Sequence, residues 1–397
     1  MLSIPSWLFV IPILASLVLV HELGHFLTAK LFNIKVTEFG FGFPPKIWGY
    51  KKGETEYTVN LIPIGGFVKM VGEEDPTDSR SFAAQSIPKR LIVLAAGPLM
   101  NLLTAIAIFF ILLITPHQEY EGTITITNVA PNSPAMSAGL QPGDNIIAIN
   151  NNSIGTTEEL IEQIQKNKSQ ETTLNIQRNL MIGNVRASPE FSHNTTVTLT
   201  PRSNPPKLKV VEQVYDPNNE ISLTDAKSYN SNLEVGDTMT QGSMGIIIGL
   251  SNPRIVEKKL NIIEAIPESF NQLFNVLTLT YTGLTNWSQT GDDPGFTGPI
   301  GIAQITGEVA EIGLSPLFQL TALISISLGI LNLLPIPALD GGRIAFIAIE
   351  AVRGGKRVSP RIEGIIHMAG FIILISLIVL MSYFDLARIL TGESIIN

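Results

Sequence analysis

Hydrophobic and polar positions along this 397-residue chain fall into four long apolar blocks separated by stretches of shorter period. The first block opens with fifteen uncharged residues, 6–20 (SWLFVIPILASLVLV), and stays largely apolar over 5–29. At about 1.5 Å per helical residue this run measures roughly 37 Å, enough to cross a hydrocarbon core of about 30 Å. Three further blocks meet the same length rule: 91–114 with 24 residues, 318–334 with 17 and 364–383 with 20. The third ends at Pro335-Ile336-Pro337. Such a break is tolerated at membrane depth only where the freed backbone is buried in protein or lines a wet cavity.

Between the blocks the period changes. Residues 36–43 and 56–64 alternate polar and apolar, as strands do, with Gly40 and Gly42 flanking Phe41 and Gly65-Gly66 closing the second run. A small sheet with an open edge is expected there. Beyond the second block, 122–129 reads as a strand, 133–140 as a short helix closing at Gly139, and 142–150 as a turn and strand. Thr156 or Thr157 caps a helix over 158–165, and strands follow at 172–178 and 195–200. This order, with its S-P-A-x-x-A-G-L-x-x-G-D element, resembles a PDZ domain, a module that takes extended peptides beside a strand. Residues 203–242 are polar and read as a long inserted loop, and 244–249 resumes a strand. In 262–290, Ile266, Phe270, Leu273, Phe274, Leu277, Tyr281, Leu284 and Trp287 recur at helical spacing. Two readings stay open for this helix: it lies at the membrane interface with Trp287 as an anchor, or it packs on the PDZ-like domain.

Composition agrees with a membrane protein carrying one soluble part. Hydrophobic residues are 45% and charged residues 15%, against about 25% charged in ordinary soluble chains. A net charge of −8 argues against a nucleic-acid partner. With no cysteine there is no disulfide framework, no thiol nucleophile and no thiolate zinc site, so any transition metal must rely on His and carboxylate. The first Lys or Arg is Lys30, so the N-terminal block lacks the basic start of a cleavable signal and reads as a retained span.

His21-Glu22-Leu23-Gly24-His25 sits at the end of the first block. Positions i and i+4 share a helix face, so His21 and His25 can point ring nitrogens at one ion, and Glu22 beside them can act as a base on water. Two His and a Glu at membrane depth are costly and mark a functional site. Asp340, beside Gly341 and Gly342 after the broken third span, can supply a carboxylate in the same plane and leave a fourth position open, as catalytic zinc requires. Asn101 in the second span reads as an interhelical hydrogen-bonding group. His367 in the last span reads as facing the bundle and satisfied there, and His117 and His193 read as solvated.

Lys and Arg placement sets an expected orientation. The segment 30–90 holds nine and the connection 341–362 holds five, whereas the first six residues hold none and the tail one, Arg388. Both connections are then cytoplasmic, and both termini and the large 115–317 region are outside.

These motifs, in this order, resemble the site-2 protease family, the intramembrane zinc metalloproteases of bacterial regulated intramembrane proteolysis. The matching residues are H-E-L-G-H at 21–25, G-F-G at 40–42, A-G-P-L-M-N at 96–101, the PDZ element, F-T-G-P-I-G at 296–301 and N-L-L-P-I-P-A-L-D-G at 332–341. The expected fold is a polytopic α-helical membrane protein with about four transmembrane helices, a small membrane-associated β-sheet and an inserted extracytoplasmic PDZ domain. Its parts are 1–115, the PDZ domain over 116–255, a linker over 256–317, and 318–397. The resemblance implies one Zn2+ held by His21, His25 and Asp340, with Glu22 as general base. It further implies that Asn332 and the strands around Gly40 and Gly42 engage substrate. The implied partners are single-pass transmembrane proteins, such as anti-sigma factors or remnant signal peptides, within the lipid bilayer of a bacterial inner membrane. Two rivals remain at this stage: a metalloprotease of another H-E-x-x-H class with Glu as third ligand, and an inactive membrane-anchored PDZ adaptor.

Overall fold

The first apolar block begins as a 3-10 turn, Ser6–Phe9, and runs on as helix α1, Val10–Leu31, until Asn33 at φ 57° turns the chain out of the helix. Strands β1 (Val36–Lys52) and β2 (Thr55–Met70) follow, then α2 (Ile87–Ile114), which carries Pro98 in its interior. In this computed structural model the described residues are 5–391, apart from 74, 180, 183–184, 187–191, 218, 230–232 and 291–296. The chain divides into two units, Met1–His117 with Lys259–Asn397, and Gln118–Lys258.

β1 and β2 are longer than the alternation suggested, and each folds back on the other. Phe39 pairs with both Tyr57 and Val68, Gly40 with both Thr58 and Phe67, and Trp48 with Val59. The result is four strand segments in the order 46–52, 55–60, 38–43, 66–70. Gly40 therefore lies on an inner segment, and the expectation of an open edge beside Gly40 is corrected. Segment 66–70 is an outer one instead. The period-2 pattern showed that strands exist, but double pairing depends on a bend within each strand. At Gly42 that bend has φ 78°, a value side chains rarely allow.

The turn joining β1 to β2 is pinned to the end of α1. Glu54 accepts hydrogen bonds from Arg80 through both guanidinium branches and from Lys30, all at 2.8 Å. Arg80, then Lys30, hold the Glu54 carboxyl down to about 2. A carboxylate with a lowered folded-state pKa stabilises above its unfolded value and loses that contribution as pH falls. Hydrogen exchange at 53–55 is therefore expected to speed up as pH falls from about 4.5 towards 2, after correction for intrinsic rates. Glu54→Gln removes this pH dependence. Equal protection of the turn in parent and variant across that window would refute the brace.

The second unit is built on one antiparallel sheet. Its elements are β3 (His117–Val129), α3 (Pro134–Ser137), β4 (Asn145–Ile149), β5 (Asn152–Ser153), α4 (Thr157–Lys166), β6 (Thr172–Asn179), the β7–β8 hairpin (Met181–Ile182, Val185–Arg186) and β9 (Ser192–Leu199). Then come β10 (Lys207–Val211), β11 (Glu220–Ser222), α5 (Leu223–Tyr229), β12 (Thr238–Thr240) and β13 (Ile246–Lys258). The main sheet runs β13-β3-β4-β6-β9 with β5 on β4. Ile124, Ile126, Ile146, Ile149, Leu160, Leu174 and Ile176 form its core. Ser133 caps α3 by accepting from Met136 N–H, and Thr156 caps α4 by accepting from Glu159 N–H. The stretch read as a polar loop over 203–242 instead holds a three-stranded sheet, β11-β10-β12, and α5. Leu208, Val210, Ile221 and Ala226 give it a small core of its own. Four apolar residues spread among many polar ones leave too weak a periodic signal to read in advance.

The remaining helices return to the first unit: α6 (Ile262–Thr290), α7 (Pro299–Ile312), α8 (Leu314–Leu333), α9 (Asp340–Val352) and α10 (Pro360–Thr391). Leu273, Val276 and Leu277 of α6 pack with Ala105 and Phe109 of α2 and Ala322 and Ile326 of α8. One face of α6 thus lies against the apolar span α2. The Trp287 side chain lies outside the described residues. Its exposed Thr278, Thr280 and Thr282 hydroxyls each donate to the carbonyl four residues back, which hides them from an apolar surrounding. Asp385 of α10 is buried and accepts from Gly301 N–H at 2.8 Å, capping α7 from a different helix. Among the described residues, four stretches are long and apolar enough to cross a membrane: Ser6–Leu31, Ile87–Ile114, Leu314–Leu333 and Pro360–Leu390.

Candidate metal centre

His21 and His25 lie one turn apart on α1, both buried at 7% and 6% exposure. Their Nε2 atoms are 3.2 Å apart. Asp340, first residue of α9, brings Oδ2 to 3.0 Å from His21 Nε2 and 3.3 Å from His25 Nε2. The edge of a tetrahedron around a zinc with bonds of about 2.0–2.1 Å is about 3.3 Å. Three donor atoms at this mutual spacing, two imidazoles and a carboxylate, fit a zinc ion with one position left for a further ligand.

Helix α2 forms the wall behind this triangle. The Val93 carbonyl lies 2.7 Å from His25 Nδ1, so a proton on Nδ1 donates to it and leaves the Nε2 lone pair facing the ion. Asn101 brings its side-chain amide to 3.4 Å from His21 Nδ1, and its backbone carbonyl accepts from Ser325 Oγ at 2.8 Å. The interhelical role read for Asn101 is thus joined by a contact to the site itself. Between these two, Gly97 faces the rings. A Cβ there would sit 2.3 Å from His25 Nε2 and 2.7 Å from His21 Nε2, so only glycine leaves the space open. Residues 93, 97 and 101 recur every four positions and therefore share one face of α2. A-G-P-L-M-N stood out as a sequence motif, but a glycine that makes room for an ion carries no chemical mark of its own.

Glu22 lies beside this face and meets the sheet. A Cβ on Gly66 would come within 3.2 Å of Glu22 Cγ, so the Glu22 side chain lies against the sheet. The outer segment 66–70 thus runs next to Glu22, whereas Gly40 lies one segment further in. Gly40 leaves room for the Phe67 ring, which a Cβ would meet at 2.4 Å. Asn332 stays on α8 and donates from Nδ2 to the Leu328 carbonyl at 3.0 Å.

Two contacts fix where Asp340 arrives. The 334–337 loop folds back over the first turn of α9 so closely that a Cβ on Gly341 would lie 2.0 Å from the Leu334 carbonyl oxygen. Further along α9, Glu350 forms a two-pronged ion pair with Arg90 of α2, at 2.6 and 3.0 Å, both side chains under 10% exposed. Burial alone would raise the Glu350 pKa, yet the pairing with Arg90 holds it below the ordinary carboxylate value. This pair ties the helix bearing Asp340 to the helix bearing Gly97. It was not legible in the sequence, because 341–362 reads as a basic connection and its helix hides one acid among the Arg residues.

Comparison with known proteins agrees with this centre. The description "Peptidase family M50" matches residues 9–377. A relative from Clostridium acetobutylicum is 32% identical, covering 95% of this chain and 96% of its own length. Two proteins named zinc metalloprotease RasP, from Oceanobacillus iheyensis and Geobacillus kaustophilus, are 29% and 28% identical. They cover 94% and 95% of this chain, and 96% and 97% of their own lengths. Two buried histidines on a membrane-length helix facing a carboxylate from α9, inside a match that spans nearly the whole sequence, place this chain in peptidase family M50, the site-2 protease family of zinc metalloproteases.

Proposed function

We propose that this zinc metalloprotease cuts peptide bonds in or near the transmembrane segments of single-pass membrane proteins, such as anti-sigma factors or remnant signal peptides. The observation that carries the reading is a three-atom ligand triangle, two of its donors buried on a span helix, with an outer strand segment beside Glu22. His21, His25 and Asp340 hold one zinc per chain, which when bound supplies Lewis-acid polarisation and eases deprotonation of water. Glu22 takes the proton from the attacking water and returns it to the leaving amine. A transmembrane helix hides its scissile bond in its own hydrogen bonds, so it must be drawn out straight before it can be cut. Segment 66–70, beside Glu22, offers backbone groups for an added strand. Gly40 and Gly42 support that segment from within the sheet, and Asn332 borders the substrate path at the end of α8.

Positive charge in 30–90 and 341–362 favours a cytoplasmic position for the sheet and α9, in a bacterial inner membrane, with both termini outside. The unit Gln118–Lys258 is read as a PDZ domain on the outer side that filters substrates by their outer bulk. The test compares intact protein with a form lacking 120–255, at equal expression. Both should cut a single-pass substrate already trimmed outside. The untrimmed substrate should be spared by the intact form and cut by the truncated one. If neither form cuts any single-pass protein, the substrate class is wrong. If both cut trimmed substrate equally and both spare the untrimmed one, the filter role fails.

A further inference from the structure

The loop that delivers Asp340 is held by the last span. After α8 ends at Leu333, residues 334–339 lead to α9. In that run Ala338 has φ 79°, a left-handed conformation that a residue with a Cβ rarely adopts. Its N–H donates to His367 Nδ1 at 2.8 Å. Three residues along α10, and so on the same face, a Cβ on Gly370 would lie 2.4 Å from Pro337 Cβ. The His367 ring also packs against Phe346 of α9, with centroids 5.4 Å apart. One histidine on α10 thus touches both the loop before Asp340 and the helix that Asp340 begins.

We propose that His367 is a positioning residue for Asp340. Its Nδ1 lone pair holds Ala338 in the left-handed conformation, and that conformation aims the carboxylate at His21 and His25. His367 touches no reacting atom. Without an acceptor at this point, the Ala338 amide loses its partner while the strain at φ 79° remains, and the loop relaxes. A relaxation of well under an ångström at Asp340 suffices to spoil a triangle whose sides are 3.0 to 3.3 Å. The inference rests on the reading of Asp340 as third zinc ligand, and Asp340→Ala tests that reading separately.

Zinc affinity of full-length protein in detergent, by competition with a chromophoric chelator, distinguishes positioning from packing. His367→Gln keeps an acceptor oxygen and should hold zinc within about threefold of the parent. His367→Phe fills the space without an acceptor and should bind zinc about 10- to 100-fold more weakly, the usual scale for losing an outer-shell partner. Adding Ala338→Gly to His367→Phe should restore part of that loss, because glycine adopts φ 79° without strain. Nitrogen-15 NMR of the unaltered protein gives a readout that needs no variant to fold: His367 should carry its proton on Nε2 and leave Nδ1 bare. Parent-like zinc affinity in His367→Phe, equal losses in Phe and Gln, or a proton on Nδ1 would each overturn the proposal. If Asp340→Ala keeps tight zinc, the ligand reading falls and the inference falls with it. If Asp340→Ala loses zinc while His367→Phe does not, only the role of His367 is refuted.

Discussion

Glu22→Gln is expected to slow peptide-bond hydrolysis by about 100- to 10,000-fold, the usual contribution of a positioned general base, and to leave bound zinc at one per chain. Three features motivate this outcome. Glu22 is the direct neighbour of His21 on α1, so it lies off the face that His21 and His25 share. It stands outside the triangle of donor atoms, which is complete with Asp340. Its side chain lies against Gly66 of the outer strand segment. Gln has nearly the same shape and can still contact the sheet, but it cannot take a proton at neutral pH. The measurement is zinc content by mass spectrometry together with cleavage of a single-pass substrate under single-turnover conditions. Full activity in the variant would remove Glu22 from the chemistry, and loss of zinc would make it a ligand.

Gly97→Ala should empty the metal centre without unfolding the protein. A single methyl group placed there meets His25 Nε2 at 2.3 Å and His21 Nε2 at 2.7 Å, distances that no real Cβ contact shows. The side chains that would have to move are buried rings, held by the Val93 carbonyl and the Asn101 amide. Ala is a better helix former than Gly by about 1 kcal/mol in aqueous hosts, so α2 itself should not suffer. The expected result is at least a 100-fold loss of zinc affinity, on the steep side of what outer-shell changes cause, with secondary structure by circular dichroism unchanged. Asp340→Ala provides the scale, because it removes one of the three donors outright. Zinc bound in Gly97→Ala as tightly as in the parent would mean that the ion sits elsewhere, away from the α2 wall.

The sequence carried those features that depend on local period and chemical type. Apolar blocks of 15 to 24 residues without Asp, Glu, Lys or Arg have one inexpensive solution, a helix long enough to span once flanking residues are added, and four such helices are present among the described residues. His21 and His25 were legible as a pair because i and i+4 share a face in any helix. Asp340 was legible as a candidate partner only through the first-span H-E-x-x-H motif, because a lone aspartate before Gly341 reads equally well as a turn residue. What only the tertiary structure decided is how elements far apart in the chain approach one another. The double pairing of Gly40 within its sheet depends on bends that strand alternation does not encode. Packing of one face of α6 on α2 depends on which side of an amphipathic helix finds an apolar partner, and its pattern does not name that partner. The void at Gly97, the Arg90–Glu350 pair and the His367–Ala338 contact each join residues whose separate sequence signals are silent, because a close approach or a hydrogen bond is a property of two positions in space.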